Sequence, residues 1–167
     1  CSLSTVVGQY YDNGQDPSSI RWRSLETQYY RIIYPDYYEH KVQKIGLITD
    51  SLYPLVKSEM GFTSNRKKHK RKLPLILHTQ SSYANAFLAW APRRMEWYTG
   101  TPQNIYAQPW FEQLAIHEAR HELQMQRMDQ DFISVWTSIF GEHFIGLVSG
   151  IFVPQWFLEG DAVWAET

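Results

Sequence analysis

The chain has 167 residues, a length that suits one domain. Hydrophobic residues make up 44% and aromatic residues 16%, ample for a core, and the many Trp and Tyr suit a groove with amphipathic walls. A formal net charge of -1 excludes a global attraction to nucleic acid or acidic lipid. The single cysteine, Cys1, excludes an internal disulfide and a cysteine-based zinc finger.

Cys1 has two readings. With Ser2-Leu3-Ser4 it suits the lipid-modified first residue of an exported bacterial lipoprotein whose signal segment has been removed. It equally suits an arbitrary chain start. The expected location is outside the cytoplasm: bacterial periplasm, outer membrane or cell surface. Residues 1–20 are polar and turn-rich and predict an extended arm. Trp22 to Tyr34, with the aromatic and β-branched run Thr27 to Tyr34, predicts a strand stopped by Pro35. Asp36 to Met60 predicts a helix. Val42, Ile45, Ile48, Leu52, Leu55 and Val56 recur at three and four residues and form its expected core face. Pro54 is a place for a kink, and Gly61 ends the helix.

The basic run Asn65 to Lys72 reads either as a nucleic-acid or phosphate patch or as a solvated loop before a strand. No aromatic platform interleaves the charges, which favours the loop. Leu73 to His78 predicts a short buried strand, with His78 hydrogen-bonded at its end. Asn85–Ala91 and Arg93–Tyr98 predict two strands about Ala91-Pro92. Pro92 lacks an N–H, so the second strand is expected at a sheet edge. Thr99-Gly100-Thr101-Pro102 makes a turn, and Pro109 suits the first turn of the next helix.

That helix carries His117-Glu118-Ala119-Arg120-His121, an HExxH motif. The flanking segment from Trp110 to Met128 has no Gly or Pro and reads as one continuous helix. Residues i and i+4 share a helical face, so His117 and His121 can hold one metal ion. Glu118 is turned partly aside, within reach of a water on that ion. The plain alternative is two ordinary surface histidines. Phe132 to Val153 is strongly apolar and predicts one or two buried or interface helices, with Gly141, Gly146 and Gly150 permitting close packing or a break. Glu142, His143 and the glycines interrupt it too often for a membrane span. Contact with a membrane surface is its alternative reading. After Pro154 a further helix begins, with Glu159 in its first turns. A catalytic zinc site takes three protein ligands and leaves one position open. Glu159 is the candidate third ligand, with Glu142 and His143 as rivals.

HEARH followed by WFLEGDAVWAE resembles the gluzincin zinc metallopeptidases, most closely their aminopeptidase-like and peptidase-MA-like branch. The resemblance is specific over about residues 110–128 and 154–167, and the insertion between the two motif helices departs from it. It implies a single zincin-like α+β domain over 1–167, a small mixed β-sheet followed by the HExxH helix and a third-ligand helix. Gluzincins commonly carry further helices, so a longer protein is expected. The resemblance implies Zn2+ on His117, His121 and Glu159, and hydrolysis of peptide bonds by a zinc-activated water with Glu118 as general base. The Glu-Gly pair favours Glu159 over Glu142 and His143. Glu166 follows Glu159 at i+7 on the same face and is the expected hydrogen-bond partner of a ligand imidazole, with Asp161 as the competitor. No motif marks an oxyanion donor; Tyr83, Tyr98 and Tyr106 are candidates by abundance alone. The implied substrate is a peptide or protein laid along a sheet edge. The rival class is a non-catalytic zinc-containing module that binds peptide or belongs to the cell envelope.

Overall fold

Alternating apolar residues set one face of a five-stranded mixed sheet. The computed structural model describes residues 16–62, 72–82, 84–102, 108–129, 131–141 and 143–166. The strands are β1 (Trp22–Glu26), β2 (Tyr30–Pro35), β3 (Leu73–His78), β4 (Ala84–Trp90) and β5 (Arg93–Thr99). Their order across the sheet is β1-β2-β3-β5-β4. The inner pairs β2/β3 and β3/β5 are parallel, and the outer pairs β1/β2 and β5/β4 are antiparallel. Tyr30, Ile32 and Tyr34, then Leu73, Leu75 and Leu77, then Met95 and Trp97, alternate along their strands into one core. That period of two is the pleat of the sheet.

The helices are α1 (Glu39–Glu59), α2 (Trp110–Met128), α3 (Asp131–Phe140), α4 (His143–Phe152) and α5 (Gln155–Ala165). α1 and α2 supply Val42, Ile45, Tyr53 and Val56, and Leu114, Ala115, Ala119 and Leu123, to the same core. The fold is therefore α+β, with α2 packed against α1, α5 and β4.

Several expectations are corrected here. The single strand predicted over Trp22 to Tyr34 is a hairpin of two strands, whose first, β1, has a largely exposed pattern that gives no period-two signal. The Asp50 carboxylate of α1 holds the turn, accepting from Thr27 Oγ1 and from the backbone N–H groups of Gln28 and Tyr29. β2 ends at Pro35, which is its last residue. α1 runs unbroken through Pro54 and ends before Gly61, whose φ of 70° suits glycine. Leu55 is 64% exposed, because at about 100° per residue it lies across the helix from Val42, Gly46 and Tyr53.

The edge strand is β4, while β5 lies inside the sheet. Pro92 falls in the turn between them, so its missing N–H removes no ladder bond. The segment from Phe132 to Val153 forms two helices, broken at Gly141 with φ 78°. They are not buried: Val135, Ile139, Leu147 and Ile151 are exposed, and Phe152 is 75% exposed. Among the described residues no helix is long and apolar enough to cross a membrane. Cys1, most of the arm and of the basic run, Tyr83, Tyr106 and Glu142 lie outside the described residues.

Candidate metal centre

α2 presents Leu114, Ala115, Ala119 and Leu123 to the core. Its next face turns His117 and His121 towards α5. The two rings meet edge to face, 4.7 Å between centroids, with their Nε2 atoms 3.0 Å apart. Glu159 Oε2 lies 3.5 Å from His117 Nε2 and 3.6 Å from His121 Nε2. One ligand atom from each of the three residues lies within 4.8 Å of the others.

The far nitrogens define the tautomers. His117 Nδ1 is 2.5 Å from Glu166 Oε1. An ionised carboxylate only accepts, so the ring nitrogen donates. Gln113 donates to the other oxygen of Glu166, and Gln108 donates to its backbone carbonyl. His121 Nδ1 is 2.9 Å from Gln124 Oε1. The Gln124 amide donates from Nε2 to the Leu158 carbonyl at 3.1 Å and to Asp161 Oδ2 at 2.6 Å. These two acceptors fix which end of the amide faces His121, so His121 Nδ1 carries the proton. Both Nε2 atoms then present lone pairs to each other and to a carboxylate oxygen. With both rings neutral, a cation between its members would hold such a donor set together. Bonds of about 2.0–2.2 Å at tetrahedral angles put neighbouring zinc donors roughly 3.3 Å apart. The observed 3.0, 3.5 and 3.6 Å bracket that spacing.

Glu118 is 2% exposed, and its Oε2 has no hydrogen-bond partner among the described residues. Burial pushes its carboxyl up to about 8, and the negative charges of Glu159 and Glu166 add to the shift. A divalent cation at the three donors would oppose it. Glu118 lines a cleft of about 1020 Å³ between the edge strand β4 and the helices α2 and α5. Asn85, Ala86, Phe87 and Leu88 form the strand side of this cleft, and no tyrosine is among its described lining residues.

The remaining candidates separate. Glu166 reaches His117, whereas Asp161 binds Arg120 through both oxygens, at 2.8 and 2.7 Å. That pairing, ahead of a smaller opposing effect of burial, raises the Arg120 pKa and lowers that of Asp161. Tyr98 is not at the cleft. It alternates with the core residue Trp97, and its hydroxyl donates to Glu96 on the opposite sheet face. His143 is exposed on α4 and outside the donor cluster. Arg120 and Glu122 are both buried. Glu122 accepts from Arg93 at 2.7 Å; burial raises its pKa, with Arg93 opposing.

Gln124, Gln113 and Gln108 escaped the sequence reading. Gln124 had a usable signal, since i+3 from His121 puts it on the same helical face. The two others reach the site through Glu166, which no local pattern reveals. No protein-family model matches this chain, and no curated protein or solved structure matches it.

Proposed function

We propose that this chain is a zincin-like, zinc-dependent metallopeptidase of gluzincin type. One observation carries the reading: His117, His121 and Glu159 converge with both imidazole Nδ1 atoms held by other side chains, leaving two lone pairs and a carboxylate oxygen aimed at one point. The HEARH and WFLEGDAVWAE motifs support the same assignment. A bound zinc supplies a Lewis acid that polarises a carbonyl and makes a water more acidic. Among the described residues β4 pairs only with β5, and its outer edge would offer alternate backbone N–H and C=O groups to an extended peptide held against α2. Glu118 lines the same cleft, and its Oε2 lacks a hydrogen-bond partner among the described residues. Its role is to accept the proton of the attacking water and return it to the leaving amine. A non-catalytic zinc module would need the three ligands but would have no use for Glu118.

The test is metal analysis joined to a peptide-library digest. The protein is expected to hold one zinc, and His117→Ala or His121→Ala to abolish stoichiometric binding. Glu118→Gln keeps the metal while peptide hydrolysis falls about 100-fold or more. Full zinc occupancy in both histidine variants would sink the ligand assignment. Unchanged turnover in Glu118→Gln would sink its role.

A further inference from the structure

Glu159 reaches the two histidines only if α5 is seated on α2, and one buried amide touches both sides of that arrangement. Gln124 is 8% exposed. Its Oε1 accepts from His121 Nδ1 at 2.9 Å. Its Nε2 donates to the carbonyl of Leu158 at 3.1 Å and to Asp161 Oδ2 at 2.6 Å. Leu158 immediately precedes Glu159 and Asp161 lies two residues beyond it. Arg120, one residue before His121, locks Asp161 with two further bonds. An amide suits this place because it accepts and donates without charge. A carboxylate would repel Asp161, and an ammonium could not accept from the imidazole.

Resting on the metal reading, we infer that Gln124 is a positioning residue that makes the seating of α5 and the presentation of His121 Nε2 depend on each other. Ion binding tightens α5 on α2, and undocking of α5 frees the His121 ring to turn away from the ion. The linkage runs through side chains next to the ligands, so neither histidine need be touched to weaken the site.

The test compares zinc affinity, read by competition with a chromophoric chelator, and hydrogen exchange of the α5 amides with and without zinc. Three proteins are used: the parent, Q124L and Q124E. Q124L is expected to lose affinity about 10–100-fold, the range for removing a partner of a metal-bound imidazole. Its α5 amides exchange faster than the parent's even without zinc, while those of α1 do not change. Q124E keeps an acceptor for His121 but opposes Asp161, so α5 again exchanges faster. Parent-like affinity in Q124L overturns the inference and leaves the metal reading standing. Parent-like exchange of the α5 amides in Q124L and Q124E also overturns it, since the seating of α5 would then not depend on the amide at 124. A parent that binds no zinc removes the metal reading and this inference with it.

Discussion

Glu166 touches the proposed metal centre without supplying a donor to it. Its carboxylate fixes the His117 ring through Nδ1, and Gln113 fixes the carboxylate. Replacing Glu166 by Gln removes the charge that makes His117 Nε2 a stronger donor. Zinc affinity is expected to fall about 10–100-fold, so that chelator strips the variant at concentrations the parent withstands. Equal resistance would make Glu166 a neighbour without influence. A second group of interacting side chains lies on the other sheet face. His78 at the end of β3 stacks on Tyr98 at 4.6 Å and bonds Asp16 at 2.5 Å and Glu96 at 3.2 Å. Burial works against a charged ring there, but the two carboxylates outweigh it and raise the His78 pKa above 6.5. Burial likewise works against the Glu96 charge, but His78 and Arg94 outweigh it and lower the Glu96 pKa below 4.5. The His78 contribution is complete below 6.5 and fades as pH rises through its elevated folded value. The Glu96 contribution is complete above 4.5 and fades as pH falls through its depressed folded value. Their joint contribution therefore peaks between those values. A hydrogen bond to a charged group is worth about 1.5–3 kcal/mol, and each kcal/mol moves Tm by about 2–4 °C at this size. His78→Gln should melt several degrees below the parent at about pH 5.5, with the gap narrowing as pH rises through the elevated His78 value. A gap independent of pH would mean that His78 acts only by packing on Tyr98.

At the scale of elements, α2 is tied to the β4–β5 hairpin by charge as well as by apolar contact. Arg93, the first residue of β5, donates to Glu122 at 2.7 Å, with side chains only 9% and 5% exposed. Gln126 also donates to Glu122, at 2.8 Å, and the Arg93 guanidinium lies 5.2 Å from the Trp90 ring centroid. Removing one member of a buried pair strands the other and costs about 3–5 kcal/mol, whereas replacing both with apolar residues of similar size is often neutral. Urea denaturation of Glu122→Leu and Arg93→Met should reveal large losses in each, and the double variant should recover most of the stability. Strictly additive losses would mean that the two residues are not coupled. The strands themselves were legible wherever one face was buried. β3, β4 and β5 lie within one residue of their predicted limits, because short apolar and aromatic runs bounded by turn residues are a local signal. β1 was not separated from β2, because an exposed edge strand carries no such run.

Across the whole molecule the core is one-sided. It lies between the sheet and the α1–α2 pair, and α3 and α4 stand outside it. Those two helices pack on each other through Trp136, Phe140 and Phe144, with ring centroids 5.6–6.3 Å apart. Among their described side chains only Ile145 is buried. Few buried apolar contacts mean a low free energy of local opening. Amides of α3 and α4 should therefore exchange with deuterium well before those of α1 and of α2 from Leu114 to Gln124. Protection of α3 and α4 equal to that of α2 would contradict this ordering. The apolar run itself was plain in the sequence. Its exposure was not, because composition says that a helix is apolar and only packing says what it meets.

The sequence by itself determined the features that neighbours along the chain encode. His117 and His121 share a face because helical spacing puts i and i+4 together, and the Gly- and Pro-free run from Trp110 to Met128 lets that helix form. Gly141 divides the apolar segment because its positive φ suits glycine and ends a helix. Tertiary structure decided what depends on distant partners. It made β4 the edge strand, because the place of Pro92 in the turn leaves β5 free to pair on both sides. It brought Glu166 to His117 and gave Asp161 to Arg120, although both carboxylates lie in the same C-terminal stretch. It seated Glu159 against two histidines about forty residues earlier in the sequence. Hydrogen bonds and burial across such separations form only once the loops between them have closed, and no periodicity in the chain records which closure prevails.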